Sequence, residues 1–151
     1  MLQVLKRLPD VLCALGISQL SRINDFKLKR TKIFENYLSS LLGNHEVSLP
    51  GKRDYVDPTW HLYPIRVSAD IRMSVFTEMR AKGIGVQVNY IPAYLHPVFN
   101  SYNYKKGLCQ EAEKFYSEEI SLPMSFPLTE ENVDYIVRTL SNVTNNHRLG
   151  G

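Results

Sequence analysis

Between Asn89 and His96 the sequence gathers an amide, two phenols and an imidazole (Asn89, Tyr90, Tyr94 and His96), with Pro92 and Pro97 among and beside them. An asparagine amide both donates and accepts hydrogen bonds. A tyrosine offers a flat apolar ring with a hydroxyl at its rim, and histidine changes charge near neutral pH. That combination suits a hydroxyl-rich ligand such as a sugar, or a planar ring. The plainer alternative is that the rings cover the end of a sheet while the prolines stiffen a loop, and the residues alone leave both open. A second candidate lies in "WHLYPIRV", where His61 and Tyr63 alternate onto one face of an expected strand. His61 reads equally well as an ordinary edge histidine. No residue is read as a proton-transfer catalyst.

The chemistry these residues could serve is narrowed by what is missing. There is no Gly-x-Ser-x-Gly elbow, no phosphate loop and no Gly-x-Gly-x-x-Gly after a strand. "KGIG" carries two glycines, but it joins a helix to a strand, and phosphate cradles run from strand to helix. The four histidines lack metal-ligand spacing, so no metal site is expected. Cys13 and Cys109 sit in apolar helical patterns and read as buried thiols in a reducing, cytoplasmic setting. The net charge of +3 is a weak pointer to any partner, and no nucleic-acid role is expected from it. The densest basic run, Lys27, Lys29, Arg30 and Lys32, spreads over more than one helical face and reads as a solvated surface. No apolar stretch is long enough to span a membrane. The start, "MLQVLKRLPDVL", is interrupted too soon by Pro9 and Asp10 to read as a signal peptide.

Several elements must position these residues. Pro9 opens a helical pattern in which Leu12, Leu15, Leu20, Ile23, Phe26, Ile33, Phe34, Tyr37, Leu38 and Leu41 recur, closed by Gly43 and Asn44. A helix of that length invites a bend near Gly16 or Asn24. A loop over 45–59 leads to the expected strand at 60–67, with Trp60, Leu62, Ile65 and Val67 as its apolar members and Pro64 marking an edge or bulge. A helix from Ser68 or Asp70 to Gly83 leads into an expected strand at 84–90. A helix over about 109–120, a short strand at 120–124 and a last helix capped by Thr129 complete the order, with a frayed tail from Asn145. The expected architecture is a small α/β unit of about three strands covered by helices on one face.

Four stretches in this order carry a resemblance: "RLPDVLCALGISQLSRINDF", "WHLYPIRV", "KGIGVQVNYIP" and "EEISLPMSFPLTEENVDYIV". Together they resemble the carboxy-terminal part of the DegT/DnrJ/EryC1/StrS sugar-nucleotide aminotransferases, over about residues 7–142. Within that group the likeness is strongest to enzymes that aminate C4 of a UDP-linked 4-keto-6-deoxy-N-acetylhexosamine on the way to pseudaminic acid. The resemblance implies the small domain of the fold type I pyridoxal-phosphate (PLP) transferases. It divides the chain into a long connecting helix with a frayed start at 1–44 and the small domain at 45–151. It also implies a homodimer whose cofactor is held by a lysine and receives an amino group, usually from glutamate.

No Ser-x-x-Lys stretch occurs here in the family's context. The resemblance therefore implies that the cofactor-binding large domain is absent and that this chain alone neither holds PLP nor transaminates. The family's Gly-x-Asn-x-Arg before the long helix is matched by Arg7, a cofactor-side residue, while Leu5 stands in place of the asparagine. In the family's His-Tyr-x-Pro-x-His-Leu-x-Pro-Tyr, Asn89 and Tyr94 replace the histidines and Val98 the last tyrosine. By resemblance His61, Asn89, Tyr90, Tyr94 and His96 line the sugar side of the site. Two alternatives stay open: a non-catalytic binding or assembly module, and a remnant of a decayed gene, which the unfamiliar "MLQVLK" start would favour.

Overall fold

The computed structural model describes residues 9–125 and 127–149. Arg7 and Leu5 lie outside the described residues.

The long helical pattern is two helices. α1 (Asp10–Leu20) starts behind Pro9, whose carbonyl accepts the amides of Leu12 and Cys13, and α2 (Ile23–Leu41) follows after a two-residue interruption. The break falls at Ser21 and Arg22. The Ser21 hydroxyl donates back to the Ser18 carbonyl at 2.9 Å, a local bond that competes with continuing the helix. α2 closes before Gly43, whose φ of +96° only glycine adopts cheaply, although a Cβ there would meet nothing within 4 Å.

The sheet is smaller than the sequence suggests. β1 (Tyr63–Arg66) pairs antiparallel with β2 (Glu119–Leu122), placing Tyr63 opposite Leu122 and Ile65 opposite Ile120. Single bridges widen it, Ser48 to Arg66 on one side and Gln87 to Ser121 on the other. The strand expected at 84–90 is thus one bridge at Gln87: in that register Asn89 faces Glu119, but its amide donates to the Glu119 side chain, and Gly85 faces Pro123, which has no N–H to give. Arg66 donates to the Ser48 carbonyl at 2.9 Å, so Pro64, two residues earlier, turns its nitrogen toward the same sparsely paired edge. Tyr63, Ile65 and Val67 are the buried set, and Leu62 is on the opposite face and only half-buried.

α3 (Arg72–Ala81), α4 (Gln110–Glu118) and α5 (Glu130–Leu149) complete the order. α5 packs against α2 and α3, and β2 touches α3. The core joins Phe34, Tyr37 and Leu41 of α2, Val75 and Met79 of α3, the inner sheet face, and Val133, Ile136, Leu140 and Val143 of α5. Thr129 starts α5 with a reciprocal pair of bonds: its hydroxyl accepts the Asn132 amide at 3.2 Å, and the Asn132 side-chain oxygen accepts the Thr129 amide at 3.1 Å. The tail does not fray at Asn145. The helix runs on to Leu149, held where the His147 ring meets the Glu78 carboxylate at 2.8 Å.

α1 stands apart from this core. It carries Val11, Leu12, Ala14, Leu15, Ile17 and Leu20, yet none of its residues is buried. Both cysteines, expected inside, are exposed and outside any disulfide. Cys13 rides on α1, none of whose residues is buried, and Cys109 immediately precedes α4. Among the described residues no helix is long and apolar enough to cross a membrane.

Candidate functional site

Chain segments far apart in sequence meet in one groove of about 460 Å³. α2 contributes Arg30, the stretch before β1 contributes His61 and Leu62, the 85–90 segment contributes Gln87 and Tyr90, and β2 with its exit contributes Ser121 through Ser125. The sheet edge positions these groups. Gln87 exchanges both backbone bonds with Ser121, at 3.2 and 2.8 Å, which fixes the 85–90 segment beside β2. Two residues on, the Asn89 amide donates to the Glu119 carboxylate at 2.7 Å. Tyr90 then projects into solvent with 66% of its surface exposed, leaving its ring available to a ligand.

Glu119 is the residue that sequence reading passed over. It is fully buried on β2, and its second oxygen accepts the Ser121 hydroxyl at 2.5 Å. Burial pushes its carboxyl above the usual range, while the bonds from Ser121 and the Asn89 amide and the charge of Arg72 oppose that rise. A glutamate inside the apolar "EEISLP" was the available signal, since a buried charge needs built partners.

The remaining expected site residues are distributed more widely. His61 and Tyr90 share the groove. Asn89 borders it, its side-chain amide donating to the Gln87 side-chain oxygen at 3.3 Å. Tyr94 is turned to the base of the following loop, where its hydroxyl meets the Glu113 carboxylate and accepts the Cys109 amide at 3.3 Å. His96 is exposed between the short 3-10 turns Ala93–Leu95 and Pro97–Tyr102. Tyr63 points into the core and not, as expected, along the face of His61. Among the described residues no cluster of three or more His, Cys, Asp or Glu could hold a metal ion.

Among the described residues no lysine lines this groove. Lys27 pairs with Asp57 and Lys32 with Glu130 at 2.6 Å, and the described lysines beyond them are exposed. The groove therefore offers hydrogen bonding, an aromatic face and a cation, with no amine to bond a carbonyl carbon.

Comparison with known proteins gives a consistent pattern. The DegT/DnrJ/EryC1/StrS aminotransferase family matches residues 3–141. The UDP-4-amino-4,6-dideoxy-N-acetyl-beta-L-altrosamine transaminase of Campylobacter jejuni is 32% identical over 151 residues, covering 95% of this chain and 39% of that protein. Among solved structures, a proposed sugar aminotransferase of Streptococcus pneumoniae in its PLP form superposes with a TM-score of 0.87 at 28% identity, over 93% of this chain and 36% of that one. Helicobacter pylori PseC, an aminotransferase involved in the biosynthesis of pseudoaminic acid, superposes at 0.84 with 26% identity, over 93% and 38%. The chain thus spans between a third and two fifths of the length of these proteins. The fold is that of the carboxy-terminal small domain of the PLP-dependent aminotransferases.

Proposed function

The chain belongs to the DegT/DnrJ/EryC1/StrS aminotransferase family, and from that premise we propose that it is the small-domain part of a sugar-nucleotide aminotransferase. The substrate we assign is a UDP-linked 4-keto-6-deoxy-N-acetylhexosamine, aminated at C4 with glutamate as donor. Residues 1–44 are the connecting segment and 45–151 the small domain. The observation that carries this reading is the groove, in which His61 and Tyr90, 29 positions apart by their numbering, stand with Gln87 and Ser121 along one wall. An exposed tyrosine ring packs against the apolar face of a sugar, and the amide and hydroxyls bond its hydroxyl groups.

The described residues do not fit pyridoxal phosphate by themselves. Among the described residues no lysine is buried or borders the groove, so we assign the cofactor and the covalent chemistry to a body outside this part of the fold. α1 supports the same reading. A helix that is apolar on every side is a buried helix, and here none of its residues is buried. The role assigned to these residues is to bind and orient the sugar.

A chimaera tests this. The chain replaces the matching segment of the Campylobacter jejuni transaminase, and glutamate-dependent amination of UDP-linked keto sugars is followed. The expected result is turnover, with Tyr90→Ala lowering kcat/KM by about tenfold, the worth of one aromatic contact. A folded, PLP-loaded chimaera that aminates no UDP-linked keto sugar overturns the proposal. The chain alone should develop no saturable, one-to-one Schiff-base absorbance with pyridoxal phosphate beyond the weak non-specific imines of its exposed lysines.

A further inference from the structure

The basic run on α2 does not act as one surface. Lys27 and Lys32 are paired with Asp57 and Glu130, while Arg30 leaves the run and enters the groove. Its Nη1 donates to the Trp60 carbonyl at 3.4 Å, and Trp60 is itself held by stacking on Phe34 with ring centroids 3.5 Å apart. That is the single hydrogen bond of the Arg30 side chain among the described residues, and no ion pair accompanies it there. A guanidinium has five N–H donors, so most of its donor capacity is unused.

The lining makes this cation unusual. Four other clefts, of about 270 to 590 Å³, each include at least one glutamate. The groove of Arg30 includes none. Glu119, whose neighbour in β2 is Ser121 of the groove, has both oxygens engaged by Ser121 and the Asn89 amide. A partly desolvated, unneutralised guanidinium facing a cavity favours an oxyanion, which it grips through two parallel N–H bonds. Ser121 adds a second constraint. Its hydroxyl hydrogen is given to Glu119, so it meets a ligand as an acceptor, the role that a sugar hydroxyl complements.

We propose that Arg30 is the phosphate anchor of this groove, holding a phosphate attached to a sugar whose hydroxyls meet Ser121 and Gln87. This rests on the reading of the groove as the sugar side of the site. The source of the phosphate in the whole enzyme is the diphosphate of the nucleotide-linked substrate.

The test is titration of the isotope-labelled 151-residue chain, followed by NMR, with N-acetylglucosamine 1-phosphate, N-acetylglucosamine and L-glutamate as separate probes. The sugar phosphate is expected to shift the Arg30 Nε–H signal together with the Gln87 and Ser121 amides. It should bind about tenfold more tightly than the unphosphorylated sugar, weaken as salt is raised, and lose that advantage in Arg30→Gln. Arg30→Lys should keep part of it as a point charge. Because the Arg30 signal is read in the unsubstituted chain, the test survives a variant that fails to fold. Sugar-induced shifts at Tyr90 and Ser121 to which the phosphate adds nothing would leave the groove reading standing and end the anchor. Movement of Arg30 by L-glutamate but not by the sugar phosphate would also end it, by assigning the guanidinium to a carboxylate. No shift at the groove with any probe would end both readings.

Discussion

Tyr37 and Tyr63 face each other with ring centroids 4.8 Å apart, and Phe34 meets Tyr63 edge-on at 5.1 Å. Both tyrosines are fully buried, and burial pushes both phenols well above their usual range. Their hydroxyls differ. That of Tyr37 donates to the Pro123 carbonyl at 3.0 Å, tying α2 to the segment that forms the groove floor. That of Tyr63 is buried with no partner among the described residues. The ring does the packing, and the hydroxyl carries a desolvation cost without return. Tyr63→Phe should therefore fold normally and be as stable or more so, by up to about 1 kcal/mol. Tyr37→Phe should lose about 1 kcal/mol and loosen the groove floor. Urea unfolding of the two variants checks the contrast, and a clear loss in Tyr63→Phe would mean that its hydroxyl has a partner.

The loop between the 85–90 segment and α4 is organised by one carboxylate. Glu113 accepts the Tyr94 hydroxyl and, at 2.6 Å, the Gly107 amide, closing a turn in which Gly107 sits at φ +96°. The Tyr94 bond chiefly holds the Glu113 carboxyl below its usual range, and the Gly107 amide adds to that. The sign follows. A carboxylate depressed in the folded state contributes fully at neutral pH, and its contribution is lost as pH falls from the ordinary carboxylate range through the folded value. Amide exchange at Gly107 and Cys109 should accordingly accelerate on acidification, with α3 unaffected, and Glu113→Gln should show the faster exchange already at neutral pH. Unchanged protection in that variant would remove Glu113 from the role.

At the same scale the helices were readable, because a 3.6-residue repeat is local and α2, α3 and α5 carry it with caps such as Thr129. The sheet was only partly readable. Pairing is a property of two segments, so Val86 and Val88 alternate like a strand although only Gln87 finds a neighbour. The face of β1 was legible only in part: His61 and Tyr63 alternate onto one expected face, whereas the structure turns Tyr63 into the core and leaves His61 exposed. Within the site, His61 and Tyr90 were visible as residue types. Arg30 was not, because its removal from a basic run depends on where Asp57 and Glu130 lie in space.

At the scale of the molecule, the buried side chains stop partway along α2. Ile33, Phe34, Tyr37 and Leu41 are inside, and no residue of α1 or of the first turns of α2 is buried. Val11, Ile17 and Leu20 keep 79%, 70% and 65% of their surface, so the exposure is not confined to one edge. Leucine-sized side chains are worth roughly 1.5–3 kcal/mol each when covered, so this helix is a strong drive toward association. Cys13, on the same helix, was read from sequence as buried, and that reading is right for a covered α1 and wrong for this one. In the isolated chain the available cover is a second copy. Size-exclusion chromatography should show a species larger than the 17.4 kDa monomer, growing with concentration. Leu15→Glu combined with Ile17→Lys, which touches no core residue, should return it to the monomer without changing the groove. In the chimaera described above, on the proposed reading, α1 should be covered by the rest of the enzyme, and the same double substitution should instead destabilise the protein. A chain that stays monomeric at high concentration, with α1 helical and exposed, would mean that the apolar helix needs no partner, and the case for a missing body would lose its main physical support.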